Sequence, residues 1–250
     1  VDHIPPTARQ ATYVTAERYG YIWVWYGSQT PLFPLPEFSA AEDERHNYMS
    51  TRSVITANTT LRTVIENIFD FSHLVSIHNA KTPKFFDSFQ ITLLNEQHSV
   101  QQNELPIQKD AWLGVLYEFP PFKREDKIGA LSKLLVNGEV VTLRVDAWPS
   151  GIIFTHFLNG EESCKELFCL TPVAENKTNL VRLFMVKKTG KFWLDIPYRA
   201  FFSWRTETGY AQDLQMWNHM KPNAGGVYVK HDWLVLKFRK FYQSWVDKVE

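Results

Sequence analysis

The chain has little cysteine: only Cys164 and Cys169 occur. Residues five apart on a strand point to opposite faces, so the pair does not form a bridge within one strand. A disulfide framework of the kind that staples small secreted proteins is not expected. An excess of either charge is also lacking, with 27 Lys plus Arg against 27 Asp plus Glu. That balance gives no electrostatic basis for binding nucleic acid or an anionic membrane surface. No apolar run approaches the roughly 20 residues that a membrane helix needs, so no membrane span is expected. The opening Val1-Asp2-His3-Ile4-Pro5-Pro6 lacks the features of a signal peptide. With nothing pointing to secretion, the expected location is cytoplasmic. Internal repeats and low-complexity tracts are absent.

Aromatic residues are abundant. They make up 15% of the chain, with nine Trp and 18 Phe, which suits a large core and leaves material for an apolar pocket. The 44% hydrophobic and 22% charged content is that of a globular chain. At 250 residues it accommodates one large domain, or one domain and part of another.

Residues 11–15 and 21–26 read as two strands around a turn at Tyr19-Gly20. The run Pro31-Leu32-Phe33-Pro34-Leu35-Pro36-Glu37 breaks regular structure and divides the chain into units 1–38 and 39–250. Alternation predicts a strand over 48–60, with Thr59 or Thr60 near the start of a helix. Further strands are predicted over 88–94, 97–104, 111–119, 139–147, 151–158, 164–171 and 179–187. Turns are expected at Asn137-Gly138, Pro149-Ser150-Gly151, Asn159-Gly160 and Glu175-Asn176-Lys177. Short turns between successive strands imply an antiparallel meander, with 121–135 as an exposed excursion. A helix is predicted over 197–220, weakened at Gly209 where a bend is plausible, and ended by Pro222 and Gly225-Gly226. Asp232 is placed to cap a last amphipathic helix through Leu234, Phe238, Phe241, Trp245 and Val249. The expected class is α+β: one large antiparallel sheet with helices before and after it.

The chemistry concentrates between Glu66 and Ala80. Asn67, Asp70 and His73 recur every three residues and share roughly one helical face. His78 lies about 140° further round an ideal helix and converges with His73 only if the helix bends or loosens. Isolated histidines are ordinarily core or surface residues. Buried polar groups arriving as a set need partners. Two imidazoles and a carboxylate from elsewhere suit non-haem Fe(II), leaving positions open for oxygen and substrate. The candidate third acids are Asp195, Glu207 and Asp213. Glu207 sits in the polar run Arg205-Thr206-Glu207-Thr208 and reads as solvated or paired. Asp213, with Trp217 one turn on, is as readily a cap or ion pair as a ligand. His219 reads as partly exposed near a helix end, and His3, His46, His98, His156 and His231 have no metal-like neighbours.

The run Asn67-x-x-Asp70-x-x-His73-x-x-x-x-His78 resembles the mononuclear-iron motif of Rieske non-haem iron oxygenases. Gln212-Asp213-x-x-x-Trp217 resembles that family's downstream carboxylate motif, and Glu17 to Gly27 resembles the closing strands of its cluster domain. The resemblance implies that His73, His78 and Asp213 ligate Fe(II). It implies that Asp70 carries electrons from a [2Fe–2S] cluster on a neighbouring subunit, and that Asn67 orients a ligand or water by hydrogen bonding. It also implies a helix-grip fold, in which a curved antiparallel sheet wraps a long helix after a small β remnant. A homotrimer and a ferredoxin or reductase donor follow from it as well. Asn218-His219 and the closing Phe238-Arg239-Lys240-Phe241-Tyr242 resemble the members acting on sterols and other large apolar substrates.

One feature departs from the pattern. The family binds its cluster through C-x-H and C-x-x-H, and neither occurs in these residues. The chain is therefore expected to begin after the cluster loops, with the cluster supplied by an upstream segment or a neighbouring subunit. The expected activity is O2-dependent hydroxylation or desaturation of an apolar aromatic, terpenoid or sterol-like substrate. The alternative is a non-catalytic helix-grip module that binds an apolar ligand. The missing cluster ligands favour it, and the retained triad argues against it. A zinc hydrolase would leave residues 17–27 unexplained.

Overall fold

The alternating segments assemble into a seven-stranded antiparallel sheet in the order β3-β9-β8-β7-β6-β5-β4. The computed structural model describes residues 8, 10, 12–70, 72–78, 90–94, 108–119, 141–220 and 227–249. The strands are β3 (Tyr48–Ala57), β4 (Gln90–Leu94), β5 (Leu113–Phe119), β6 (Val141–Trp148), β7 (Gly151–Leu158), β8 (Glu161–Ala174) and β9 (Lys177–Lys187). Strands β5 to β9 form a meander. Asn159-Gly160, both at positive φ, make the tight β7–β8 turn. Strand β3 returns to pair with β9, so β3 and β4 are the two edges among the described residues. The segment joining those edges carries the helices α1 (Leu61–Phe69) and α2 (Ser72–Ser76).

Period-two alternation gives the sheet two buried faces. One presents Val115, Val145, Phe154, Phe168 and Leu180 to α1, to α3 (Phe192–His219) and to α4 (Trp233–Val249). The other presents Trp148, Ile153, Leu167, Leu183 and Met185 to a small hairpin, β1 (Thr15–Arg18) with β2 (Tyr21–Val24), and to Phe38 beyond it. Cys164 and Cys169 fall on opposite faces and are both free thiols. This is the expected α+β plan. Among the described residues no helix is long and apolar enough to cross a membrane.

Several boundaries differ from the sequence reading. The first strand runs Thr15–Arg18 rather than 11–15, because Tyr19 and Gly20, both at positive φ, close a two-residue turn that pairs Arg18 with Tyr21. The second strand stops at Val24. The late helix begins at Phe192, ahead of Pro197. There the Asp195 carboxylate accepts from the Thr189 backbone N–H at 2.7 Å and from its hydroxyl at 2.7 Å, tying down the first turn. Pro197 removes one ladder bond where the helix is mostly exposed. The helix runs unbroken through Gly209. The predicted strand 97–104, the excursion 121–135 and the turns at Asn137-Gly138 and Gly225-Gly226 lie outside the described residues.

Candidate metal centre

Helix α1 starts at Thr60, whose side chain accepts from the Thr63 backbone N–H at 3.2 Å, as an N-cap does. Its face of Val64, Ile65 and Phe69 is buried. Phe69 stacks on Phe238 of α4 at 4.9 Å, and Arg239 donates to Glu66 at 2.8 Å. The helix ends at Asp70, whose φ of −88° and ψ of 85° leave the helical region while its N–H still reaches the carbonyls of Glu66 and Asn67. It restarts at Ser72, where the Asp70 carboxylate accepts the backbone N–H at 3.0 Å. Asn67, Asp70 and His73 therefore do not share one continuous helical face. Asn67 is buried on α1, Asp70 is the break, and His73 is buried on α2. His78 lies past the end of α2. These two interruptions let imidazoles five residues apart meet, with ring centroids at 5.2 Å and planes at 72°.

Asp213 enters from α3 and is buried. Its Oδ1 lies 3.1 Å from His78 Nε2 and 3.9 Å from His73 Nε2. The ligating atoms of all three residues lie within 4.8 Å of one another. The proton positions follow from the other ring nitrogens. His73 Nδ1 bonds the Asp70 backbone carbonyl, which can only accept, so Nδ1 carries the hydrogen and Nε2 presents a lone pair. His78 Nδ1 lies 2.8 Å from Gln212 Oε1, an acceptor that suits the same tautomer once a cation occupies Nε2. Asp213 Oδ1 is buried with no aligned hydrogen-bond donor. With both ring hydrogens on Nδ1, three electron pairs face one another across a small gap, an arrangement that a cation satisfies.

The local electrostatics follow. Burial pulls His73 below the ordinary imidazole range, against the pull of Asp213. Burial acts the same way on His78, but the Asp213 carboxylate, with Gln212, outweighs it and raises His78. Burial raises Asp70, against the opposing effect of His73. The other acids considered lie elsewhere: Asp195 ties the first turn of α3 to Thr189, and Glu207 is exposed. His219 is exposed and bonds the Gln215 carbonyl at 2.6 Å. An open cavity of about 580 Å³ borders the centre, lined by Ile77, Gln212, Met216 and Met220 among others.

The sequence reading missed a buried charge network beside the centre. Glu166 is 0% exposed and accepts from Arg182 Nε at 2.6 Å, His156 Nε2 at 2.9 Å and the Tyr210 hydroxyl at 3.1 Å. Arg182 also donates to Thr206 at 2.7 Å. Strands β7, β8 and β9 are thereby tied to α3 one turn before Asp213. A signal was present: Glu166 occupies the inward register of Cys164, Phe168 and Leu170 on β8.

Comparison with known proteins decides the family. Residues 22–246 match the family model described as the 3-ketosteroid 9alpha-hydroxylase C-terminal domain. The chain belongs to this family. Over its whole length it is 36% identical to aminopyrrolnitrin oxygenase PrnD of Pseudomonas fluorescens, spanning 68% of that protein. It is 23% identical to the oxygenase component of 3-ketosteroid-9-alpha-monooxygenase of Rhodococcus rhodochrous, matching over 97% of this chain and 61% of that protein. Crystalline dicamba monooxygenase bound to dicamba superposes with a TM-score of 0.67 at 14% identity, covering 95% of this chain and 71% of that one. NdmA of Pseudomonas putida with caffeine gives 0.64 at 18%, covering 97% and 64%. The match places the chain among the catalytic domains of Rieske non-haem iron oxygenases, the terminal oxygenase components, and the sheet-and-helix architecture is theirs.

Proposed function

We propose that His73, His78 and Asp213 hold one Fe(II) and that the site uses O2 to hydroxylate or desaturate an apolar aromatic, terpenoid or sterol-like substrate. Electrons come through Asp70 from a Rieske [2Fe–2S] cluster on a neighbouring subunit of a homotrimer, supplied in turn by a ferredoxin or reductase. The observation that carries this reading is the buried Asp213 Oδ1, without a donor and facing two imidazole Nε2 atoms. Iron bound there supplies the one-electron steps that O2 needs to react with paired-electron organic molecules.

The chain's own residues do the rest. The Asp70 backbone carbonyl holds His73 in its metal-ready tautomer, while the Asp70 carboxylate starts α2. Asn67, buried one turn before Asp70, orients a ligand or water. The cavity beside Gln212, with Ile77, Met216 and Met220 in its wall, accepts the apolar substrate. Residues 1–38 form the end of a Rieske-type domain, packed on the sheet's outer face through Tyr19, Trp23 and Phe38, and 39–250 form the catalytic domain. A carrier of apolar ligands would have no use for three convergent ligand atoms, two of them on buried residues.

The test separates two roles. Asp70→Asn keeps the backbone carbonyl on His73, so iron content is expected to stay near wild type while single-turnover product falls steeply in the full-length, cluster-bearing protein. Asp213→Ala is expected to lose the iron itself. Equal iron loss in both variants would remove the division of labour between them.

A further inference from the structure

The two imidazoles of the centre are oriented by different means. His73 is fixed within its own segment, by the carbonyl three residues back. His78 lies past the end of α2, and the described polar contacts of its two ring nitrogens come from α3. There Gly209, Gln212 and Asp213 fall on one face, spaced three and four apart. A Cβ at Gly209 would stand 4.0 Å from His78 Cε1, so the helix backbone runs alongside the ring. Gln212 Oε1 meets Nδ1 at 2.8 Å, and Asp213 Oδ1 faces Nε2 at 3.1 Å.

We propose that Gln212 is the positioning residue for His78, holding it in the Nδ1–H tautomer and aiming the Nε2 lone pair at the centre beside Asp213. An imidazole whose Nδ1 has no acceptor can place its hydrogen on Nε2, where it blocks ligation. A hydrogen-bond acceptor at the far nitrogen removes that option and raises ligand basicity. Because Gln212 adjoins Asp213, one turn of α3 supplies a ligand and orients another. The segment ending at His78 becomes metal-competent only when α3 is docked. This inference rests on the iron site proposed above.

The test reads the tautomer and the metal separately. In metal-free Asp213→Ala protein labelled with 15N-histidine, where no carboxylate competes for the Nε2 hydrogen and at a pH where imidazole is neutral, long-range 1H–15N correlations should show the His78 hydrogen on Nδ1. Adding Gln212→Leu to that variant should move population to Nε2–H, and Gln212→Leu alone should weaken Fe(II) binding roughly 10–100-fold, measured anaerobically against a competing chelator. Gln212→Glu, which keeps an acceptor, should restore both. An Asp213→Ala protein whose His78 carries its hydrogen on Nε2 would overturn the proposal. So would folded Gln212→Leu proteins, checked by circular dichroism, whose tautomer (beside Asp213→Ala) and Fe(II) affinity (beside wild type) match those of their parents. Failure of wild-type protein to bind Fe(II) at all would instead overturn the iron site itself.

Discussion

Glu166 shows how a single residue supports the centre without touching it. Its carboxylate receives a guanidinium, an imidazole and a phenol in the interior, and the Arg182 it pairs with is 1% exposed. Removing one partner of such a pair leaves the other charge buried and costs about 3–5 kcal/mol. Glu166→Gln should therefore lower the urea midpoint strongly at neutral pH. The pH dependence has a definite sign. Burial alone would raise the Glu166 pKa, but Arg182 and His156 outweigh it and hold the carboxyl below its ordinary value. Its contribution is thus fully present above the unfolded carboxylate pKa and is lost as pH falls through the lowered folded value. The gap between wild type and Glu166→Gln, followed by urea unfolding from neutral to acid pH, should narrow in acid. A gap that stays constant or widens would show that the carboxylate charge is not what stabilises the site.

At the scale of elements, helix α3 combines ordinary helical requirements with the needs of the centre. Glycine inside a helix costs roughly 1 kcal/mol relative to alanine, and the Gly209 position buys room beside His78. A methyl group there makes only ordinary contact at 4.0 Å. Gly209→Ala should then raise the melting temperature by a few degrees and leave iron stoichiometry unchanged. Gly209→Phe should keep the helical circular dichroism yet lose iron, because the ring displaces His78. Retention of full iron by the phenylalanine variant would mean that the helix does not crowd the ligand.

The same helix shows what was legible in the sequence. Alternation and turn residues placed β5 to β9 to within a few residues, since each strand carries its own period and each turn its own chemistry. The start of α3 was misplaced because the tie between Asp195 and Thr189 spans a loop and leaves no periodic mark. The site was legible as a set of candidates, not as a geometry. Spacing alone put Asn67, Asp70 and His73 on one face. The break at Asp70 arises from a backbone conformation and a carboxylate-to-Ser72 bond that spacing does not encode. The contact of Gln212 with His78 and the role of Glu166 escaped notice for a related reason: each acts through a partner from another element, far away in the chain.

In the whole molecule, the order of the strands explains why the centre forms where it does. Because β3 pairs with β9 and β4 sits at the opposite edge, the segment bearing α1 and α2 has to run from one edge of the sheet to the other. On that path it packs under α4 through Phe69 and Phe238, and it meets the inward face of α3 at Asp213. The ligands of the proposed centre are thus brought together by the closure of the fold, from positions 73, 78 and 213. The most direct measurement is anomalous X-ray scattering at the iron edge from crystals loaded with Fe(II) without air. The result expected is a single strong peak bonded to His73 Nε2, His78 Nε2 and an Asp213 carboxylate oxygen, absent in crystals of His73→Ala. A peak ligated by other residues, or one that survives that substitution at full height, would contradict the assignment.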